Sequence, residues 1–170
     1  MIPQTLYNMN LFIDGTSFAG VATQVTPPKL KIKAEEYRGG GMDAPIKMDL
    51  GLEALEALEA NFSLCHLAPQ ALQFFGIADQ TIFNGVFRGA LRDHKGTVQS
   101  CILTMLGMLT EVDMGDWKPA EKTESKFTLA CSYYKFELDN IILYEIDPLA
   151  SVRIINGRDQ LTAIRTALGF

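Results

Sequence analysis

Histidine, cysteine and tryptophan are scarce in this 170-residue chain, with two, three and one copies respectively. Neither His66 nor His94 sits in a His-x-x-His, Cys-x-x-Cys or Gly-x-Ser-x-Gly setting, so zinc sites and nucleophile–base pairs have no motif behind them. Strand alternation would put Cys65 and His66 on opposite faces, which argues against their sharing a ligand. Cys65, Cys101 and Cys131 make an odd count without metal-ligand spacing and are expected to be free, buried thiols. No catalytic residue, metal or cofactor is expected. A basic excess is lacking too: 15 Lys and Arg stand against 20 Asp and Glu, a formal net charge of −5. That balance argues against specific nucleic-acid binding through a basic patch. No apolar run approaches the roughly 18 residues of a membrane span. The start Met1-Ile2-Pro3-Gln4 shows neither a basic n-region nor an apolar h-region, so folding in the host cytoplasm is expected. The length suits a single domain spanning residues 1–170.

Strand signals are plentiful. Residues 96–139 read as two long strands around the polar turn Met114-Gly115-Asp116-Trp117-Lys118-Pro119. A turn centred near Asp116 pairs Cys101 with Cys131, Leu103 with Leu129, Met105 with Phe127 and Leu109 with Thr123, on one mostly apolar face. The other face sets Thr104, Leu106, Met108 and Thr110 against Thr128, Lys126, Glu124 and Lys122. It is too apolar for open solvent and too charged for a core. Such a face is expected to finish its burial against another chain or to line a wet cavity.

Upstream, residues 8–13 form a strand closed by the hairpin dipeptide Asp14-Gly15, with 17–26 as partner. Pro27-Pro28 ends that ladder, and 29–35 alternates as a half-buried strand with Lys29, Lys31 and Lys33 outward. The loop Tyr37-Arg38-Gly39-Gly40-Gly41-Met42-Asp43-Ala44-Pro45 lacks the flanking helix and Lys-Ser/Thr pair of a phosphate cradle. Ile46, Met48, Leu50 and Leu52 resume alternation, so the loop tips a hairpin arm at about 36–54 that could embrace a neighbouring subunit. The triplet Leu-Glu-Ala repeat over 52–60 leads into a strand with Ala60, Phe62 and Leu64. Residues 69–76 carry Pro near the start and Gly at the end of a two-turn helix with Leu72 and Phe75 inward. A strand over 81–93 has Gly85 and Gly89 on its apolar face, a last strand holds Tyr144 and Ile146, and 158–168 forms a small amphipathic helix.

The expected fold is therefore mainly β, a sandwich or barrel of about eight antiparallel strands with two short helices. Trp117 sits at a turn tip, where a large aromatic needs cover from its own chain or another. Carboxylate pairs such as Glu35-Glu36, Glu111 with Asp113, and Asp113 with Asp116 fall in edges and turns and are expected to be solvated.

Several segments together carry a family likeness. Ile2-Pro3-Gln4-Thr5-Leu6, Asn10-Leu11-Phe12-Ile13-Asp14-Gly15, Pro28-Lys29-Leu30 and Glu36-Tyr37-Arg38-Gly39-Gly40-Gly41-Met42-Asp43-Ala44-Pro45 are four of them. Met48-Asp49-Leu50-Gly51-Leu52-Glu53-Ala54, Phe83-Asn84-Gly85-Val86-Phe87-Arg88-Gly89, Glu111-Val112-Asp113 and Gly115-Asp116-Trp117-Lys118 add four more. Ser132-Tyr133-Tyr134-Lys135, Tyr144-Glu145-Ile146-Asp147 and Ile155-Asn156-Gly157 complete the set. The whole chain resembles the major tail tube proteins of contractile-tailed phages, an FII-like family, and within it is most similar to the tube protein of R-type pyocins, which are headless phage tails. The Leu-Glu-Ala run looks one triplet longer than in that family.

The resemblance implies a phage tail tube fold whose copies form hexameric rings, stacked into a hollow tube and driven through a bacterial envelope by sheath contraction. Its implied partners are further copies of itself, a surrounding sheath protein, baseplate and tail terminator proteins at the ends, and a tape measure protein or DNA in the lumen. The finished product would be a virion tail or a released tail-like particle. In that setting Tyr37, Arg38, Gly39, Gly40, Gly41, Met42, Asp43, Ile46, Met48, Leu50 and Trp117 are the expected inter-subunit contacts. Thr104, Leu106, Met108, Lys122, Glu124 and Lys126 are expected on the mixed face, at the lumen or an interface. The rival readings are a tube subunit of a type VI secretion or other contractile injection system and, from another class, a β-barrel ligand-binding module with a convergent polar pocket.

Overall fold

The computed structural model describes residues 3–49, 51, 55–76 and 82–170. Strand β1 (Thr5–Ile13) turns through Asp14 and Gly15, both at positive φ as a type I′ turn requires, into β2 (Thr16–Ser17). The expected partner over 17–26 stops there. Phe18 and Val21 keep the chain beside β1, and β3 (Ala22–Thr26) pairs instead with β6 (Glu59–Leu64). Between them lies the arm, β4 (Glu35–Tyr37) against β5 (Ile46–Met48), a separate two-stranded sheet. Of the strand expected over 29–35, Glu35 opens β4, and among the described residues the rest pairs only through the bridge of Ile32 to Leu55, where the Glu56 N–H donates to Lys31 O.

Helix α1 (Pro69–Leu72) is a single turn rather than two. Ala71 and Phe74 are buried and Leu72 packs partly against the core, but Phe75, expected inward, is 58% exposed. Then come β7 (Phe83–Arg92), β8 (Val98–Asp113), β9 (Ser125–Leu138), β10 (Ile141–Asp147), β11 (Val152–Ile155), β12 (Arg158–Asp159) and α2 (Thr162–Leu168). Eight strands have four or more residues, in keeping with the sequence reading. The main sheet runs β12-β11-β10-β9-β8-β7-β1-β2, with β6 and β3 branching from β9.

The branch gives the fold its shape. On one edge of β9, Ser125 to Ala130 pair with β6, whereas Tyr134 to Leu138 pair with β10. The switch falls where Ser132 is inserted as a bulge and the Cys131 N–H donates to Leu58 O. From there β6 and β3 fold over the inner face of the sheet. Phe62 on β6 stacks on Phe83 at 5.4 Å and Phe127 at 4.8 Å, with Phe87 edge-on at 5.7 Å. Each such ring contributes about 1.5–3 kcal/mol through burial, with a further gain from ring geometry. Leu11, Leu64, Met105, Leu109 and Leu129 complete this core.

The central hairpin takes a different register from the one expected: Leu129 faces Leu109 rather than Leu103, Phe127 faces Val112 rather than Met105, Cys101 faces Leu138, and Cys131 faces Gly107. The connection is not a tight turn at Asp116 but the whole of 114–124, so Lys122 and Glu124 lie outside the strands. Cys101 and Cys131 are thus far apart in the ladder, and all three cysteines are free. Among the described residues no helix is long and apolar enough to cross a membrane, which says nothing of strands.

Candidate functional site

The outer face of the main sheet is the mixed surface anticipated from β8. Thr104 lies between Val86 of β7 and Lys135 of β9, and the row continues outward to Phe12 on one side and Glu145 and Ile154 on the other. A second row joins Asn10, Arg88, Ile102, Glu137 and Ile142. Leu106 sits between Asn84 and Tyr133, and Met108 faces Ala130. Thr104, Leu106 and Met108 are all half-buried.

Charges on this face have partners within it. Lys135 Nζ is 3.4 Å from Glu137, the Arg88 guanidinium lies 5.7 Å from the centre of the Phe12 ring, and Tyr133 Oη donates to Glu145 at 2.9 Å. Burial, then that hydrogen bond and the surrounding carboxylates, push the Tyr133 hydroxyl up to about 12, so it stays a donor at any physiological pH. Sequence reasoning found the β8 side of this face and missed Tyr133, Lys135, Glu137 and Glu145. Those four follow only from the true register. Lys126 is on β9 opposite Asp113 and Ser63, and with Glu59, Glu111 and Asp113 lines a polar groove of about 460 Å³.

The sheet has little to end it. β2 and β12 are two residues each, and among the described residues no strand pairs with the outer edge of β1 from Thr5 to Asn10. Unpaired edges of this kind invite another strand unless they are blocked.

The arm stands clear of the core. Tyr37 is 54% exposed, Ile46 49% and Met48 39%. At its tip, Arg38, Gly40, Gly41 and Asp43 are exposed, while Met42 folds back so that its Sδ accepts the Gly39 N–H at 3.1 Å. Leu50, the remaining expected arm contact, lies outside the described residues, as do 52–54 of the Leu-Glu-Ala repeat. Trp117 is 64% exposed at the far end of the long hairpin, its indole N–H donating to its own Met114 O.

Two surfaces had no counterpart in the sequence reading. An apolar cavity of about 300 Å³ opens on the inner face where β3 and β6 no longer cover the sheet, lined by Leu6, Met9, Leu91, Cys101, Leu103 and Phe136 among others. A second, of about 530 Å³, lies between α2, β10–β11 and the root of the arm. Helix α2 carries Ile164 and Leu168 exposed and buries no residue of its own. It is held by Arg165, which bonds Asp159 at 2.5 Å and Ser151 O at 2.8 Å. The Arg165 bond, helped by the Leu161 N–H, holds the Asp159 carboxyl down at about 2. The protomer thus wraps its own core with β3 and β6 at one end and leaves the apolar cavity, the sheet edges and the arm open.

Among the described residues no cluster of three or more His, Cys, Asp or Glu is placed to hold a metal. The model of the family described as phage tail tube protein FII matches residues 3–169. The chain is 35% identical over 170 residues to the tail tube protein of Escherichia phage P2, covering 99% of this chain and 98% of that one. It is 32% identical over 162 residues to the major tail tube protein of Serratia phage KSP20, covering 93% and 91% respectively. Among solved structures, a chain from the anti-feeding prophage baseplate covers 76% of this chain and 90% of its own, with a TM-score of 0.48 at 13% identity.

Proposed function

The chain belongs to the phage tail tube protein FII family, and from that premise we propose that it is the structural subunit of the inner tube of a contractile tail. Copies form hexameric rings, the rings stack into a hollow tube, and a sheath around the tube drives it through a bacterial envelope. The observation that carries this reading is the pairing of a wide mixed sheet face with open sheet edges. A protomer alone has no use for either, whereas a ring extends the sheet from the β1 edge of one copy to the β10–β12 edge of the next and turns the mixed face toward a water-filled lumen.

Thr104, Leu106, Met108, Tyr133, Lys135, Glu137 and Glu145 then line that lumen. Its charges are already matched within the face, so a tape measure protein or DNA can slide past without being held. The arm with Tyr37, Ile46 and Met48, and the tip with Trp117, reach neighbouring copies. Baseplate and terminator proteins cap the ends.

Electron microscopy of the purified chain at rising concentration tests the proposal. Rings with six subunits and tubes built from them are expected, with permanent-type interfaces on the order of 2,000 Å² or more. A chain that stays monomeric at high concentration refutes it.

A further inference from the structure

The long hairpin places two complementary features at its opposite ends. At one end, Trp117 projects with 64% of its surface exposed. At the other is the apolar cavity whose walls include Cys101 and Leu103 at the start of β8 and Phe136 near the end of β9. Cys101 and Asp113 alone are twelve residues apart on β8, roughly 40 Å at the rise of a strand. Trp117 therefore cannot reach the cavity of its own chain.

We propose that Trp117 of one copy seats in this cavity of the next copy along the tube. The inference rests on the tube reading above and names one contact that would stack its rings. The fit is first one of size: cavities of about 150 Å³ accept benzene, and this one is about 300 Å³. Gly89 lets the wall pack closely: a Cβ there would lie 2.8 Å from both Cys101 Sγ and Leu6 Cδ1, so those two side chains sit directly over its backbone. Polarity fits as well. The indole N–H is already bonded to Met114 O, so the ring enters an apolar wall without stranding a donor.

Charge does not oppose this orientation. The connection 114–124 bears Asp116, Glu121 and Glu124 against Lys118 and Lys122, one negative charge in excess. At the cavity end, Arg92 and Lys95 stand against Asp93 and Asp139, whose carboxylates accept the N–H groups of Lys95, Thr97 and Ser100, and the cavity wall itself bears no charge. No like-charge repulsion keeps tip and cavity apart. Because plug and socket lie at opposite ends of one rigid element, the contact is heterologous and repeats head to tail without closing, which is the symmetry a growing tube needs.

Trp117 is the chain's only tryptophan, so its fluorescence reports the contact directly. The full-length protein is compared dispersed and assembled, alongside Trp117→Ala, Trp117→Phe and the cavity variant Leu6→Gln, whose parent side chain is 46% exposed. Assembly should move the wild-type emission to shorter wavelength and shield it from a soluble quencher. Trp117→Ala should raise the concentration needed for tubes at least about 30-fold, as loss of an interface anchor does. Trp117→Phe should recover most of that loss, and Leu6→Gln should weaken assembly while circular dichroism stays unchanged. Wild-type tubes whose tryptophan remains solvent-exposed, or Trp117→Ala tubes forming as readily as wild type, would overturn the contact and leave the tube reading standing. A wild type that never assembles overturns both.

Discussion

Gly107 offers the sharpest test of the fold. It faces Cys131 at the bulge that marks the fork in β9, and a Cβ built there would lie 2.0 Å from the Ala130 carbonyl oxygen and 2.8 Å from its carbon. An ordinary carbon–oxygen contact needs about 3.3 Å. Gly107→Ala therefore demands more than about 1 Å of separation between two backbones that cannot give way as a side chain would. The rungs at Leu106–Tyr133 and Met108–Ala130 would stretch, and each hydrogen bond lost costs about 0.5–1.5 kcal/mol. With overpacking of Leu109 and Leu129 beside them, the total is about 3–4 kcal/mol. For a chain of this size that lowers Tm by about 6–16 °C. Thermal and urea unfolding by circular dichroism, at concentrations where no tubes form, measure it. Gly40→Ala is the control, since nothing lies within 4 Å of its Cβ, and it should stay within about 0.5 kcal/mol of wild type. If both variants unfold together with the wild type, the close approach of β8 and β9 is wrong and with it the fork.

Other outcomes follow from local chemistry. Burial, then Glu59, pushes the Cys131 thiol up to about 12, so at pH 8 only about one part in ten thousand is thiolate. Mass spectrometry after timed alkylation should find Cys131 unmodified until the protein unfolds. The Asp159 carboxyl is held at about 2 in the fold against an ordinary 3.8. Its support for α2 is therefore full above about pH 4 and fades as pH falls through 2, and Arg165→Ala should return the Asp159 titration, followed by NMR, to the ordinary carboxylate range. Replacing Gly39, Gly40 and Gly41 together by bulky residues should leave unfolding of the core nearly unchanged yet shorten or abolish tubes in micrographs. Gly41 sits at φ +84°, where a side chain strains the backbone. Tubes of normal length would refute the role given to the arm.

Period-two alternation carried most of the strands because a sheet with one buried face writes that face into its sequence. Phe83, Phe87, Leu103, Met105 and Leu109 were all legible this way, and all are buried. Pairing was not legible. The register of β8 against β9 depends on the length of the 114–124 connection, where Gly115 and Ala120 both take positive φ, and on bulges at Thr110 and Ser132. None of these alters the hydrophobic pattern. Residues 29–34 alternate equally well but among the described residues pair only at the Ile32 bridge, so alternation alone overstated the sheet. Strands β11 and β12 could have been found from Asn156-Gly157, a favoured hairpin dipeptide whose two residues have φ of 49° and 77°. The apolar cavity had no such signal, since it arises from where β3 and β6 stop covering the sheet.

That β9 runs unbroken from Ser125 to Leu138 while its partners on one edge change from β6 to β10 has a mechanical meaning. A thrust directed along the hairpin reaches the cover, the main sheet and the terminal strands through one backbone, and it loads their rungs in shear, so that many must yield together. A force applied across the strands would meet them singly and peel them apart like a zip.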